Sequence, residues 1–157
     1  MRLSRLLLGA LGVALMALPL LADRKLSGTF TKTPSGLQMA ELKPGKGPGA
    51  AKGQTLGMLY RGWLYDTKKG RQGAQFDASQ NRQKPFVFEL GAGRVIKGWD
   101  EGVVGMKKGT KRVLIIPPEL AYGGQGSGDV IPPGATLLFE VEVVSITGEA
   151  KVDLPKP

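Results

Sequence analysis

The sequence predicts an α+β domain, an antiparallel sheet covering one short α-helix, and three observations carry that reading. Segments in which apolar residues alternate or cluster at strand length recur along the chain. Glycine- and proline-rich punctuation separates them. Only one window has the spacing of an amphipathic helix.

Taken in order, Asp23 to Lys32 is polar and reads as a flexible lead-in. Gln38 to Leu42 alternates as a short strand, and Pro44-Gly45-Lys46-Gly47-Pro48-Gly49 reads as loop. Thr55 to Tyr65 is rich in apolar and aromatic residues and reads as a strand. Asp66 to Gln75, with Gly70, Gly73 and several charges, suits an exposed loop. Phe86, Phe88 and Leu90 alternate with Val87 and Glu89 as a half-buried strand. In Ile96 to Val103 apolar residues fall at helical spacing, although Gly98 and Gly102 each cost ~1 kcal/mol against alanine in a helix. Such a helix must be held by packing, with Trp99 as its anchor. Val113 to Ile116 is a buried strand stopped by Pro117-Pro118, and Gly123 to Gly134 is a long loop. Thr136 to Ile146 is the longest strand, with Leu137, Phe139, Val141 and Val143 on one face. There is no internal repeat and no sign of a second domain. The expected division is a signal peptide at 1–22, the lead-in at 23–33, one domain at 34–148 and a tail at 149–157.

Arg2 and Arg5 precede the uncharged apolar run Leu6 to Leu18, and Ala22 stands before the polar Asp23-Arg24-Lys25. This is the pattern of a cleavable export signal. The run from Leu6 to Leu21 is shorter than the ~20 residues of a membrane-spanning helix, so no lasting membrane anchor is expected. No cysteine follows it to carry a lipid, and Arg2 and Arg5 are not adjacent as a twin-arginine signal requires. A periplasmic or secreted location follows.

The 157 residues contain no cysteine and no histidine. That removes thiolate nucleophiles, disulfides, imidazole acid-base chemistry and nearly every zinc, copper or haem site. Any catalysis must use carboxylates, hydroxyls, backbone amides and apolar surface. The net charge of +9 could suit nucleic acid or an anionic membrane. The cations are scattered, however, Lys107-Lys108 and Lys111-Arg112 being the densest pairs, with few aromatics between them. A solvated basic surface without a nucleic-acid partner is the expectation.

Two tempting motifs fail. Gly124-Gln125-Gly126-Ser127-Gly128 begins like a phosphate-cradling loop, but Pro132-Pro133 follows where a helix would have to open. Asp100-Glu101 are adjacent, so on a helix they do not face each other, and they read as solvated charges at a helix start. The informative signal is an ordered series. Tyr60 is followed by Phe76-Asp77-Ala78-Ser79, then Arg82-Gln83-Lys84-Pro85-Phe86-Val87-Phe88, then Val95-Ile96-Lys97-Gly98-Trp99-Asp100-Glu101-Gly102-Val103. Ile116-Pro117-Pro118-Glu119-Leu120-Ala121-Tyr122-Gly123 and Val130-Ile131-Pro132-Pro133-Gly134-Ala135-Thr136-Leu137-Leu138-Phe139-Glu140-Val141 complete it. From about Pro34 to Ile146 the chain resembles the FKBP-type peptidyl-prolyl cis-trans isomerases.

The resemblance implies an antiparallel half-barrel wrapped around the short helix, with an apolar pocket between them. Carried over by residue, Trp99 is the pocket floor, and Tyr60, Phe76, Phe86, Val95, Ile96, Tyr122, Ile131 and Phe139 are its walls. Asp77 would pair with Arg82 and accept a hydrogen bond from Tyr60. The Tyr122 hydroxyl and the Ile96 N–H would bind substrate carbonyls. Asp77, Tyr122 and Tyr60 are thus the implied catalytic residues, with no cofactor and no metal. Proline-containing polypeptides are the implied substrates, macrolide inhibitors the implied ligands, and a monomer the implied state. Each residue has an ordinary alternative role: Trp99, Tyr60 and Phe139 as core, Asp77 with Arg82 as a surface pair. A chaperone-like binding module using the same pocket, and a basic surface for anionic polymers, are the competing functions. The segment between Tyr60 and Phe76 is longer than in the shortest relatives, and Leu59 and Ser127 stand where histidine is frequent, which touches substrate preference at the rim.

Removal of the N-terminal segment near Ala22 is expected during export. Intact-mass measurement on protein from the extracytoplasmic fraction checks it. A membrane-sedimenting species retaining Met1 would replace cleavage with anchoring.

Overall fold

A computed structural model of the protein describes residues 29–151; the expected signal peptide lies outside them. In chain order the elements are β1 (Thr31–Lys32), β2 (Gln38–Lys43), β3 (Lys46–Gly49), β4 (Thr55–Asp66), β5 (Arg71–Ser79), β6 (Phe86–Glu89), α1 (Lys97–Gly102), β7 (Lys107–Lys108), β8 (Lys111–Ile116) and β9 (Leu137–Thr147). The main sheet is antiparallel in the order β1-β2-β8-β9-β4-β5, with β6 paired to the first part of β4 and β5 to the rest. This is the predicted α+β arrangement, one short helix against an antiparallel sheet.

The sheet owes its shape to alternation. On β8 Leu114 and Ile116, and on β9 Leu137, Phe139, Val141 and Val143, join the core under α1 with Leu56, Met58, Trp99, Val103 and Met106. Val113, Ile115, Leu138 and Trp63 form a smaller cluster, packed with Phe30 and Tyr65. The lead-in thus contributes: Thr31 and Lys32 pair with Met39 and Gln38, next to a phenyl ring on the sheet.

Two loops of the sequence reading are strands. The segment 66–75 turns only over residues 67–70, and β5 begins at Arg71. As an edge strand, β5 needs no apolar alternation, and Gln72, Gly73 and Gln75 hide it from a hydropathy pattern. Lys46–Gly49 pairs with β7 as a separate two-stranded ribbon. Proline and glycine are tolerated there because the ribbon has free edges.

α1 is only six residues long, too short to be stable alone. Its glycines let it sit directly on β8. A Cβ on Gly98 would lie 2.4 Å from Ile116 Cγ2, and one on Gly102 2.7 Å from Leu114 Cδ2. The residues that weaken the helix intrinsically therefore permit the packing that holds it. Asp100 and Glu101, expected as solvated charges, are both engaged. Asp100 accepts from the Gly91 and Gly93 amides at 2.8 and 3.0 Å, and Glu101 accepts from Ser35 Oγ at 2.6 Å. The turn before the helix and the turn before β2 are thereby tied to α1.

Gly98→Ala should destabilise the fold by about 1–3 kcal/mol, since overpacking against a branched side chain outweighs the ~1 kcal/mol gain in helix propensity. Thermal or denaturant unfolding measures it. A raised midpoint would show that the helix has room to move off β8.

Candidate functional site

At the open end of the sheet, α1 and its neighbouring loops enclose a cavity of about 210 Å³ lined by Tyr60, Phe76, Asp77, Phe86, Arg94, Val95, Ile96, Trp99, Tyr122 and Phe139. Trp99 is only 4% exposed and is boxed by aromatic rings. The centroids of Tyr60, Phe139, Phe88 and Phe86 stand 5.1, 5.3, 5.8 and 6.0 Å from the Trp99 ring, all at steep interplanar angles. Edge-to-face contacts of this kind are favourable beyond area burial. They fix the orientation of the floor. The Trp99 Nε1–H is buried without a hydrogen-bond acceptor among the described residues.

The walls depend on two irregularities in β4 and β5. Gly62 pairs with Asp77 and Trp63 with Gln75, which leaves Phe76 as the extra residue of a β-bulge. Successive strand residues normally face opposite ways, yet Phe76 and Asp77 both line the cavity. The bulge permits it. Gly62 makes space for the result, because a Cβ there would sit 2.7 Å from Phe139 Cε1 and 2.8 Å from Phe76 Cζ.

Tyr60 Oη donates to Asp77 Oδ2 at 2.7 Å, and the Ala78 amide donates to Asp77 Oδ1 at 2.8 Å. Burial, then the hydrogen bond to Asp77 and the nearby carboxylate charge, push the Tyr60 hydroxyl well above the usual phenol range. It therefore stays a neutral donor at any physiological pH. The Tyr122 hydroxyl, on a side chain 40% exposed, and the Ile96 N–H at the start of α1 have no protein acceptor among the described residues. Both remain available to a guest.

Nine of the sequence-derived site residues thus meet at one cavity, and two do not. Arg82 does not pair with Asp77. Its Nη2 donates to Glu142 Oε1 at 2.6 Å, outside the cavity lining. Arg82 lies in the turn between β5 and β6 and Glu142 on β9, so no sequence spacing announces the pair. Ile131 is buried in the core and exchanges backbone hydrogen bonds with Ser127 at 2.9 and 3.1 Å, organising the 123–134 loop behind Tyr122 instead of lining the cavity. Arg94 was missed. It precedes Val95 at the rim and is exposed; its adjacency to the Val95-Ile96 motif was the available signal. No group of His, Cys, Asp and Glu able to hold a metal occurs among the described residues, and no described helix is long and apolar enough to cross a membrane.

Because the folded state holds the Tyr60 proton more tightly than the unfolded chain, the linked stability is fully present at neutral pH and is lost as pH rises past the ordinary tyrosine value of ~10. Alkaline titration of phenolate absorbance should show a late-ionising step that Tyr60→Phe abolishes. Persistence of that step in Tyr60→Phe would assign it to another tyrosine.

Comparison with known proteins agrees with this geometry. Residues 47–144 match the model of the family described as FKBP-type peptidyl-prolyl cis-trans isomerase. An FK506-binding protein of Neisseria meningitidis serogroup B is 49% identical over 111 residues, covering 71% of this chain and 96% of its own. FK506-binding protein 2 of Emericella nidulans is 54% identical over 103 residues, covering 66% of this chain and 72% of its own. Among solved structures, a peptidyl-prolyl cis-trans isomerase of Pseudomonas syringae superposes with a TM-score of 0.66 at 34% identity, covering 79% of this chain and 85% of that one. FkpA from Escherichia coli gives 0.63 at 38% identity, covering 74% and 51%. With its ordered motifs, its half-barrel sheet on one short helix and these relatives, the chain belongs to the FKBP-type peptidyl-prolyl cis-trans isomerases.

Proposed function

We propose that this isomerase works on X-Pro bonds of exported polypeptides by seating the proline on Trp99 inside the Tyr60, Phe76, Phe86 and Phe139 walls. The observation that carries the reading is the aromatic box around Trp99, open on one side and edged by two unoccupied donors. An amide resists rotation by ~18–20 kcal/mol because resonance gives its C–N bond partial double-bond character. Resonance requires a charge-separated form, which water favours. A dry, aromatic-walled site favours the twisted amide, in which that separation is lost. Tyr122 Oη and the Ile96 N–H then meet carbonyl oxygens of the substrate as fixed donors, a preorganised electrostatic contribution. Asp77 holds Tyr60 in place as part of the wall. The reaction makes and breaks no covalent bond, so the absence of cysteine and histidine is no obstacle.

The names of the FK506-binding relatives support the same cavity as the place for an FK506-like macrolide. The export pattern at residues 1–22 supports a periplasmic or secreted catalyst of proline-limited folding, where the uncatalysed step takes ~10–100 s. Residues 34–148 form the catalytic domain in this reading, acting as a monomer.

Asp77→Val, which releases the Tyr60 hydroxyl, and Tyr122→Phe, which removes a preorganised donor, should each lower the isomerase rate, the latter by up to ~10²-fold, while the domain stays folded. Protease-coupled isomerisation of X-Pro peptides, suppression of client aggregation and circular dichroism on the same variants separate catalysis from chaperone-like binding. Full rates in both variants would overturn the assigned roles. A wild-type chain that suppresses aggregation without isomerase turnover would make the pocket a binding module.

A further inference from the structure

The two-stranded ribbon and the adjoining end of the main sheet gather cations that the sequence leaves far apart. Lys46 on β3 lies directly opposite Lys108 on β7, and Lys43 on β2 lies directly opposite Lys111 on β8. Directly opposed strand residues have Cβ atoms about 4.5–5.5 Å apart, and like charges so placed destabilise the pairing. Lys107 stands beside them, and Arg112 follows Lys111. The carboxylates that accompany this group are already engaged. Glu41 pairs with Arg112 at 3.3 Å, and Glu142 is shared between Arg82 and Lys111. Lys43, Lys46, Lys107 and Lys108 are exposed and make no ion pair among the described residues.

The backbone beneath them is tightly held. Thr110, 1% exposed, closes the β7 turn: its amide donates to Lys107 O at 2.9 Å, and its Oγ1 accepts from the Lys107 amide at 3.0 Å. Gly45 packs so closely that a Cβ would fall 2.5 Å from Lys108 O. The chain thus keeps Lys46 and Lys108 opposed on the ribbon, with no ion pair to either among the described residues. Two exposed apolar side chains lie within three residues of Lys43 or Lys107. Leu42, the unpaired residue of the β2 bulge, directly precedes Lys43 and is 46% exposed; Val104, just before β7, is 41% exposed. A soluble anion has no use for them, whereas a bilayer interface takes up cationic and apolar side chains together.

We propose that the surface of the β3–β7 ribbon, with Lys46 and Lys108 opposed on it and Lys43 shortly before it, is a docking surface for anionic phospholipid headgroups. None of these residues lines the aromatic cavity, so the chain can rest on a membrane surface through this face while the cavity takes substrate. The attraction is electrostatic and weakens with added salt.

The test is co-sedimentation of the full-length chain with vesicles of phosphatidylcholine, alone and with phosphatidylglycerol added. Binding to the neutral vesicles reports the apolar N-terminal run, and the increment on adding phosphatidylglycerol reports the lysine face. Lys46→Ala/Lys108→Ala should lower that increment on the order of tenfold. Lys68→Ala/Lys69→Ala, which removes the same charge elsewhere, should leave it nearly unchanged. Both variants should keep the wild-type isomerase rate. Without lipid, Lys46→Ala/Lys108→Ala should also raise the thermal midpoint by relieving repulsion. No increment in the wild type, an equal loss in both double variants, or a lowered midpoint would overturn the proposal. So would release by free inorganic phosphate beyond that caused by chloride at matched ionic strength, which would mark an anion pocket instead of a surface.

Discussion

The close approach of α1 to β8 is the constraint on which the rest of the molecule depends. Six helical residues cannot sustain a helix in water, and the two glycines in this one add to the cost. What holds it is contact: without side chains at Gly98 and Gly102, the helix settles onto Ile116 and Leu114. That depth places Trp99 in the core, within reach of four other aromatic rings. It also presents the Ile96 N–H at the cavity mouth. The same segment is braced from outside by Asp100 on the Gly91 and Gly93 amides and by Glu101 on Ser35. Helix, floor and rim are therefore one mechanical unit.

The wall opposite the helix is set by different physics. Regular pleating would turn Phe76 and Asp77 to opposite faces, and the bulge in β5 removes that restriction. Gly62 supplies the volume that the two phenyl rings of Phe76 and Phe139 then occupy. Asp77 is held by the Tyr60 hydroxyl and by the adjacent Ala78 amide, with no cation needed to satisfy it. Arg82 is instead part of an outer charge cluster with Glu142 and Lys111. The cavity is thus polar at a few fixed points and aromatic elsewhere, which is what selective stabilisation of a twisted amide asks for.

The opposed lysines of the β3–β7 ribbon lie away from the cavity and line no part of it. Among the described residues Arg94 is the one cation at the cavity lining, and it is exposed at the rim. In the proposed mechanism a pocket that excludes water gains nothing from buried cations, whose desolvation would be costly.

Strands β2, β4, β6, β8 and β9 and the helix were legible in the sequence because each buries apolar residues, as a period in some and as an unbroken run in others, and both are written in residue order. The absence of cysteine and histidine likewise excluded whole classes of chemistry directly. Nine cavity residues were legible through an ordered set of motifs, since family resemblance preserves local residue types. Edge strands β3 and β5 were not, because an edge can be polar, glycine-rich or proline-containing and still pair. Nor were the partners of Arg82, Asp100 and Glu101, the displacement of Ile131 from the cavity, or the facing of Lys46 with Lys108. Each of these depends on how turns, loops and strands are brought together in the fold, which residue order does not write. Burial is a property of the residue and its period, whereas pairing depends on where the rest of the chain comes to lie.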